Sequence, residues 1–219
     1  MITLHYLHCS RSFRILWALE ELGLDYQVKY YQRLASYAAP ETLKQIHPLG
    51  KAPILVDNDE VIAESAVILD YLQQQYDSQQ LFKPQQRQDQ RQYHYWMHYA
   101  EGSLMPLLVM TLVMNGVSQH VPWMIRPIAA KITDGVKTSF IRPRMKEHIL
   151  YLEQYLSEHQ YFAGTFSFAD IQMAFPLMAI QKRLHGKYPN IQHFIERIQQ
   201  RPAFQHAEKK GLDSQCGIA

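Results

Sequence analysis

The strongest constraint on the fold is a change of hydrophobic period at the start of the chain. In residues 2–7 apolar and polar side chains alternate, as in a half-buried strand, whereas from Phe13 to Leu22 the apolar positions recur at helical spacing. Gly23 is typical of a helix end, and residues 25–31 alternate again. The segment therefore predicts a strand, a helix and a second strand, joined by a short turn.

That first turn carries candidate catalytic groups. Its sequence, LHCSRSF, holds a thiol at Cys9 and hydroxyls at Ser10 and Ser12, and both serines are candidate helix N-caps. A helix N-terminus favours an anion such as a thiolate. A cysteine at a strand end is more often an inert packed residue, however, and a serine at a helix start is usually only a cap. The rest of the chain has to decide between these interpretations.

The next segment predicts a hairpin with a proline inside it. KAPILVD, the turn NDE and VIAE form the hairpin, and SAVILDYLQQQY then returns to helical spacing. Pro53 stands where a strand normally excludes proline, so either the Ala52–Pro53 peptide is cis or the proline lies trans at an edge. A cis bond would leave the backbone of Ala52 available to pair with an extended ligand.

The second half of the chain differs from the first in its predicted secondary structure. A Gln-rich polar stretch follows residue 77, and the remaining sequence has helical periodicity interrupted by prolines. In GTFSFADIQ, Ser167 and Asp170 form a capping box, and Phe166 with Ile171 forms a hydrophobic staple. We expect Asp170 to act on stability. The pattern is therefore a βαβ unit, a ββα unit and a set of helices.

Composition excludes several classes of function. The formal net charge is +2, with no block of Lys or Arg, so nucleic acid is not the expected partner. Residues 104–114 are apolar but too short to span a bilayer and include a proline. The cysteines, Cys9 and Cys216, lie at opposite ends without a CxxC pair, which predicts no disulfide framework and favours a reducing cytoplasm. The eleven histidines form no ligand pairs, so we expect no metal site.

Four segments together resemble the glutathione transferase family over essentially the whole chain, in particular its bacterial and fungal branch that includes the yeast enzymes. They are CSRSFRILWALEELGLDY, HPLGKAPILVDNDEVIAESAVILDYL, FSFADIQMAF and YPNIQHFIERIQQRPAF. The resemblance implies an α/β thioredoxin-like N-terminal domain over residues 1–77 and a linker over residues 78–88. Residues 89–219 would form an all-α C-terminal helical domain with the electrophile pocket.

The resemblance also implies a glutathione site. Glu64 would bind the ammonium of the γ-glutamyl group, while Ser65 and the helix N-terminus receive its carboxylate. The backbone of Ala52, before Pro53, would pair with the cysteinyl unit, and Lys51 would meet the glycyl carboxylate. Several branches of the family keep a further His or Lys for that carboxylate. This chain has Tyr37 and Ala38 nearest to that position.

The implied chemistry is activation of the glutathione thiol for attack on an electrophile or for reduction of an organic peroxide. Against the family, Cys9 occupies the position of a catalytic cysteine in one class and of a serine in others, and Ser10 is the next residue. Tyr6 lies near a tyrosine of further classes, and the backbone amides of the turn are a fourth candidate. Ser12 is assigned as a cap. Candidate walls of the electrophile pocket are Tyr99, Met105, Leu108 and Met110.

Two other functions fit the same residues. One is a Cys9-dependent monothiol oxidoreductase linked to glutathione, and the other is a non-catalytic glutathione-binding protein with this fold. The resemblance further implies a homodimer that pairs across the third and fourth helices, where YLQQQY and YHYWMHYAEG offer aromatic surface. Glu101 would then reach the partner's glutathione.

Overall fold

The structure is a computed structural model, and it describes residues 1–34, 36, 38–117, 120–184 and 187–211. Within these residues four strands form one sheet in the order β2–β1–β3–β4. The strands are β1 Ile2–Leu7, β2 Tyr26–Tyr31, β3 Ile54–Asp57 and β4 Glu60–Ala63. β1 pairs parallel to β2 and antiparallel to β3, and β3 pairs antiparallel to β4. This arrangement confirms the predicted strand–helix–strand unit and the hairpin.

Helices make up most of the remaining structure. The first half contains α1 Ser12–Leu22 and α2 Ser65–Tyr76, and its predicted helix before Pro48 is a short 3₁₀ turn, Glu41–Gln45. The second half contains α3 Arg87–Tyr99, α4 Met105–Val117, α5 Arg126–Val136, α6 Arg142–Glu158, α7 Phe168–Leu184, α8 Pro189–Gln199 and α9 Pro202–Gly211. Short π-helical segments join α3 to α4 and α5 to α6, and a 3₁₀ turn, Trp123–Ile125, precedes α5. The predicted α/β half and all-helical half are both confirmed.

The two halves pack against each other through α1. Its aromatic side chains Phe13 and Trp17 are buried and meet Phe204 of α9, at ring-centroid distances of 5.2 and 5.0 Å. At the end of α1, Glu21 forms an ion pair with Arg201, with Nε 2.6 Å from Oε1. Helix α1 is therefore covered by the sheet on one side and by the helical half on the other.

Helix α7 begins with the predicted acidic cap. The Oδ2 atom of Asp170 accepts hydrogen bonds from the backbone N–H of Ser167, at 2.8 Å, and from its hydroxyl, at 3.0 Å. Oδ1 accepts another from the N–H of Phe162, at 2.8 Å. The carboxyl group is fully buried, and this burial raises its pKa to about 7 against the opposing hydrogen bonds. Asp170 thus stabilises the N-terminus of α7 and the segment before it, as the capping pattern predicts.

One long helical stretch differs from the prediction about the apolar segment. Helix α3, the π-helical turn Ala100–Leu104 and α4 run on continuously from Arg87 to Val117. By length and composition this stretch is long and apolar enough to cross a membrane, and 22% of its most apolar 18-residue segment is buried. The prediction considered only residues 104–114 and so missed the continuation through α3. The core helix of a soluble protein can pass the same criterion.

Candidate functional site

Strand register brings three sequence-predicted segments to one edge of the sheet. His5 of β1 pairs with Ile54 of β3, and Ile54 also pairs with Ala63 of β4. Because both pairings are antiparallel, the end of β1, the residues before Ile54 and the residues after Ala63 leave the sheet at the same edge. The turn with Cys9, the Ala52–Pro53 peptide and the Glu64–Ser65 pair therefore lie together. The Ala52–Pro53 bond is cis, which confirms that alternative.

The turn between β1 and α1 exposes Cys9 and buries the two serines. Cys9 has a left-handed backbone with φ of 54°, and its side chain is exposed. Ser10 is buried, and its hydroxyl donates to the Leu7 carbonyl at 2.7 Å. Its Oγ also accepts the backbone N–H of Ser12, at 3.0 Å. The cap-like contact is thus made by Ser10, and Arg11 holds the N-cap position without a side-chain hydrogen bond.

Ser12 has a different place from the one predicted. It is the first residue of α1, and its Oγ accepts a hydrogen bond from the backbone N–H of Leu7 at 3.1 Å. Its assignment as an N-cap is therefore wrong. Ser12 instead joins the start of the helix to the end of β1, and with Ser10 it fixes the shape of the turn that presents Cys9.

Cys9 lies in a basic environment. Arg33, just after β2, donates from Nη2 to the Cys9 carbonyl at 3.1 Å and from Nε to the His8 carbonyl at 3.2 Å. Burial and the neighbouring charge of Arg11 both lower the pKa of Arg33. Arg33 thus places a guanidinium against the Cys9 backbone, close to the N-terminus of α1, and such surroundings favour the thiolate form of a reduced cysteine.

The sulfur of Cys9 is disulfide-bonded, although the sequence predicts no disulfide framework. The other cysteine of the chain, Cys216, lies outside the described residues. Chemistry at Cys9 therefore requires reduction of this bond first.

Tyr6 is fully buried at the end of β1. Its ring packs against His8 and Tyr30, with centroids 5.9 and 5.7 Å away. A Cβ atom placed on Gly211, the last residue of α9, would lie 2.7 Å from the Tyr6 hydroxyl oxygen. The phenol thus contacts the C-terminal helix.

Glu64 and Ser65 begin α2 with an unusual backbone. Glu64 occupies the N-cap position with φ of 71° and ψ of 123°, and its side chain is exposed. A positive φ in a residue other than glycine is costly and is often found at functional sites. Ser65 is buried, and its Oγ accepts a hydrogen bond from Arg14 at 3.1 Å. The pair presents a carboxylate to solvent beside the positive end of a helix.

Behind Ser65 lies a charge cluster that the sequence did not predict. Arg14 of α1 is fully buried, and its Nη1 donates both to Ser65 and to Glu101, at 2.5 Å from Oε1. Arg11 approaches the same carboxylate from the surface, with Nε 2.9 Å from Oε2. Glu101 thus bonds to arginines of its own chain, whereas the sequence placed it toward a partner. The only available clue was an arginine within the apolar run SFRILWAL.

The pKa values of the cluster follow from burial and charge. Burial lowers the pKa of Arg14 to about 10, although Glu101 opposes this effect. Burial alone would raise the pKa of Glu101, but Arg14 and Arg11 reverse the direction and hold it below its usual range. Arg14 Nε and Nη2 have no hydrogen-bond partner within the described part of the chain, and the guanidinium lies 5.2 Å from the Phe175 ring centroid. A buried, charged guanidinium therefore lies directly behind the start of α2.

Comparison with known proteins supplies the family. The model of the glutathione S-transferase N-terminal domain matches residues 1–74, and that of the C-terminal domain matches residues 124–210. Glutathione S-transferase 3 of Schizosaccharomyces pombe is 36% identical over 219 residues, which cover 98% of this chain and 89% of the relative. The chain belongs to the glutathione S-transferase family. Glutathione S-transferase 1 of Saccharomyces cerevisiae is 31% identical, with 96% of this chain and 95% of the relative covered.

Solved glutathione transferases share the fold. A glutathione S-transferase from Actinobacillus pleuropneumoniae has a TM-score of 0.78 and 31% identity, and the match covers 100% of this chain and 98% of that one. A sphingomonad glutathione S-transferase complexed with glutathione has a TM-score of 0.73 at 22% identity, over 95% and 98% of the two chains. The predicted family and fold class are confirmed.

The remaining glutathione-site residues are only partly placed. Lys51 is exposed next to the cis peptide, so its amine is accessible to a ligand. Ala38 is exposed too, and Tyr37 lies outside the described residues. Among the residues that the structure describes, there is no group of three His, Cys, Asp or Glu side chains that could hold a metal ion.

A cavity of about 490 Å³ lies in the helical half of this transferase. Its apolar lining includes Leu108 of α4 and Ile149 of α6, and Lys137 and Lys146 are among its basic side chains. Of the four predicted pocket walls, only Leu108 lines it. Tyr99 and Met105 are instead buried in the core, and Met110 is exposed to solvent.

Proposed function

We propose that this transferase binds glutathione at the sheet edge formed by Cys9, Ala52–Pro53 and Glu64–Ser65, and that it activates the glutathione thiol there. The observation that carries the proposal is the start of α2. An exposed carboxylate with a left-handed backbone stands next to a buried serine, which a buried arginine holds from behind. A γ-glutamyl group, with one ammonium and one carboxylate, complements this pair.

The neighbouring segments support binding of an extended tripeptide. Ala52 lies outside the β1–β3 ladder, which ends at Ile54, so its backbone can pair with the cysteinyl unit of glutathione. This pairing would direct the glutathione sulfur toward the turn that carries Cys9. Lys51, at the other end, would bind the glycyl carboxylate. We propose that Glu64, Ser65, Ala52, Pro53 and Lys51 form the binding residues.

Once bound, the glutathione thiolate would attack an electrophilic carbon. A carbon–sulfur bond forms, the leaving group departs with the electron pair of its bond, and the thiol proton passes to solvent. Each unit by which the site lowers the thiol pKa is worth about 1.4 kcal/mol. With an organic peroxide, the thiolate would attack the distal oxygen and release an alcohol, and a second glutathione would then give glutathione disulfide and water. Either reaction would serve detoxification of small apolar electrophiles or peroxides.

The cavity in the helical half supports a place for the electrophile. The apolar part of its lining, with Leu108 and Ile149, suits a hydrophobic body, and the basic part, with Lys137 and Lys146, suits an electrophile that also carries a negative group. Replacement of Ile149 by a larger or polar residue should raise the KM for the electrophile and leave the KM for glutathione unchanged. This split would separate the pocket from the glutathione site.

A second function is favoured by one observation, the disulfide at Cys9. An exposed cysteine in a basic environment that forms a disulfide is suited to thiol–disulfide exchange. In that reaction the glutathione thiolate attacks a sulfur of the disulfide, and the other sulfur leaves as a thiolate. We propose glutathione-linked reduction through Cys9 as the alternative activity. A reducing cytoplasm, with its glutathione pool, is the proposed location for both.

We also propose a homodimer. Val67 and Tyr95 are exposed on α2 and α3, the helices that carry YLQQQY and most of YHYWMHYAEG and that count as third and fourth when the turn Glu41–Gln45 is included. Burial of this apolar surface would favour pairing. Light scattering at micromolar concentration should therefore give about twice the chain mass of 25.7 kDa, and a mass near 25.7 kDa would exclude the dimer.

Titration calorimetry with glutathione tests the site. Glu64→Gln and Ser65→Ala should each weaken binding by about tenfold to a hundredfold, because each removes a hydrogen bond to a charged group. Glu60→Gln, on the same hairpin but at the turn, is the matched control and should bind normally. Thermal melting of each variant separates loss of binding from loss of fold. Unchanged affinity in both Glu64→Gln and Ser65→Ala would remove the proposed site.

A further inference from the structure

Helix α5 turns its large apolar side chains away from the protein. Ile128 and Ile132, one turn apart, are 62% and 64% exposed, and Val136 continues the same stripe. The side of α5 that packs inward carries the small residues Ala130 and Thr133. In an ordinary surface helix the larger apolar side chains face the core. The exposed stripe therefore suits contact with something outside the protein.

Exposed apolar side chains also lie on two elements that contact α5. In the preceding 3₁₀ turn, Trp123 is 76% and Met124 is 71% exposed. The adjacent helix α4 exposes Leu112 and Val113. We call these six residues the α4–α5 surface: Leu112, Val113, Trp123, Met124, Ile128 and Ile132. An exposed apolar surface of this kind usually marks an interaction site.

The charge around this surface is strongly positive. Residues 102–146 contain six Lys or Arg residues and one acidic residue, Asp134. Asp134 is itself neutralised by Lys137, with Nζ 2.8 Å from Oδ1. Lys131 is exposed and lies next to the apolar stripe on the helical wheel of α5, and Arg144 stacks over the Phe140 ring at 3.7 Å. The whole chain has a net charge of only +2, so the positive charge is concentrated in this segment, where Lys137, Arg142 and Lys146 line the cavity and the other three basic residues lie outside it.

We propose that the α4–α5 surface binds the surface of an anionic lipid bilayer. A helix with a large apolar stripe, flanking lysines and a neighbouring tryptophan is typical of segments that lie in the membrane interface. Anionic headgroups would attract the basic residues, while the aliphatic side chains enter the boundary of the acyl chains. A protein partner would account for Trp123 and Met124 but fits the exposed Lys131 beside the stripe less well, because protein–protein interfaces are depleted in lysine. The helix lies along the membrane and does not span it.

Trp123 provides a built-in probe for this proposal. The other two tryptophans, Trp17 and Trp96, are fully buried, so a change in tryptophan emission upon binding reports on Trp123. Vesicles of phosphatidylcholine with phosphatidylserine should shift the emission of the full chain to shorter wavelength and sediment it. Vesicles of phosphatidylcholine alone should do so much less. Trp123→Phe should lose the spectral shift.

Variants separate the apolar and the electrostatic contributions. Ile128→Asp with Ile132→Asp should reduce sedimentation with anionic vesicles by more than tenfold. Lys131→Glu should reduce it by about fivefold or more, and the effect should vanish at high salt. Leu81→Asp, at another exposed leucine, and Lys29→Glu, on the edge strand β2, are the matched controls and should bind normally. Glutathione affinity should be unchanged in all variants, which shows that they are folded.

Several results would overturn the proposal. One is that the wild-type chain sediments with neither kind of vesicle. Another is equal binding by the Ile128→Asp/Ile132→Asp variant and the wild type. If the wild type forms a larger oligomer that this variant breaks, without vesicle binding, the surface belongs to a contact with a second copy of the chain. Resistance of the bound protein to extraction at high salt and alkaline pH would indicate insertion and not surface binding.

Discussion

Arg14 Nη1 and Ser65 Oγ lie 3.1 Å apart, although 51 residues separate them in the chain. The same nitrogen also contacts Glu101, which belongs to the helical half. A single buried guanidinium thus joins α1, the start of α2 and the segment between α3 and α4. Because Ser65 is the proposed contact for the glutathione carboxylate, this guanidinium supports both the fold and the site.

Replacement of Arg14 by Met should lower the free energy of unfolding by about 2 kcal/mol, because Glu101 loses its buried partner. The cost should stay below that of a fully buried pair, since Glu101 is partly exposed to water. Urea unfolding measures the change. Arg14→Met combined with Glu101→Gln should recover part of the loss, while Arg11→Met, at the surface, should cost less than about 1 kcal/mol. Equal losses for Arg14→Met and Arg11→Met would contradict this account.

Gly211→Ala should destabilise the protein by about 1–3 kcal/mol, because the new methyl group would lie 2.7 Å from the Tyr6 hydroxyl. Tyr6 is fully buried and has little room to move. Thermal melting of Gly211→Ala alone and together with Tyr6→Phe tests the contact. The double variant should melt higher than the sum of the single effects predicts, since Tyr6→Phe removes the clashing oxygen. Additive effects would show that the two positions do not meet.

Asp170→Asn should lower stability and change its pH dependence. The raised pKa, about 7, means that native Asp170 keeps a proton between about pH 4 and 7 that the unfolded chain has lost. The contribution of Asp170 to stability therefore falls as pH rises through this range. The asparagine of the variant cannot titrate in this range, so the stability of the variant lacks this pH dependence. Its amide N–H₂ would also face the donors of Ser167. The difference between the two unfolding free energies should shrink from about pH 4 to pH 7 and then stay constant; a constant difference throughout would refute the raised pKa.

Cys9 and Ser10 should differ in their effects on activity. Iodoacetamide should inactivate the enzyme only after a reductant opens the Cys9 disulfide, and an S-alkylated glutathione, which has no free thiol, should protect the reduced enzyme. Cys9→Ala should abolish thiol transfer. Ser10→Ala should cost about 1 kcal/mol of stability, because its hydroxyl bonds the Leu7 carbonyl, and should leave the thiol pKa of bound glutathione unchanged.

Thiolate absorbance against pH in the glutathione complex measures that pKa. If Cys9→Ala retains activity while Ser10→Ala raises the pKa of bound glutathione by about one unit, Ser10 is the activating donor. Unchanged activity and an unchanged thiol pKa in both variants would leave the backbone amides of the turn or Tyr6 as the group that activates the glutathione thiol.

The elements of the first half could be predicted because each has a local signal. The periods of β1 and α1, the helix end at Gly23 and the proline before β3 are all visible within a few residues. The capping pattern at Asp170 is equally local. The contact of Arg14 with Glu101 could not be found in this way, because it joins residues 87 positions apart. Glu64 has no glycine to indicate its left-handed backbone.

The exposed stripe of α5 illustrates a different limit. Its apolar residues have the same spacing as those of a buried helix, so periodicity alone cannot tell which side of the helix faces the protein. The small size of Ala130 and Thr133 allows α5 to pack with that side inward. Only the structure shows this orientation.

The packing of α1 limits how this chain can recombine with its relatives. Phe13, Trp17 and Glu21 of the first half meet Phe204 and Arg201 near the C-terminus. A chimera that joins residues 1–77 to the helical half of another transferase would have to inherit a matching aromatic and a matching cation at those two positions. The two halves join in sequence near residue 77, but the contacts that a functional exchange must preserve lie about 120 residues further on, at Arg201 and Phe204.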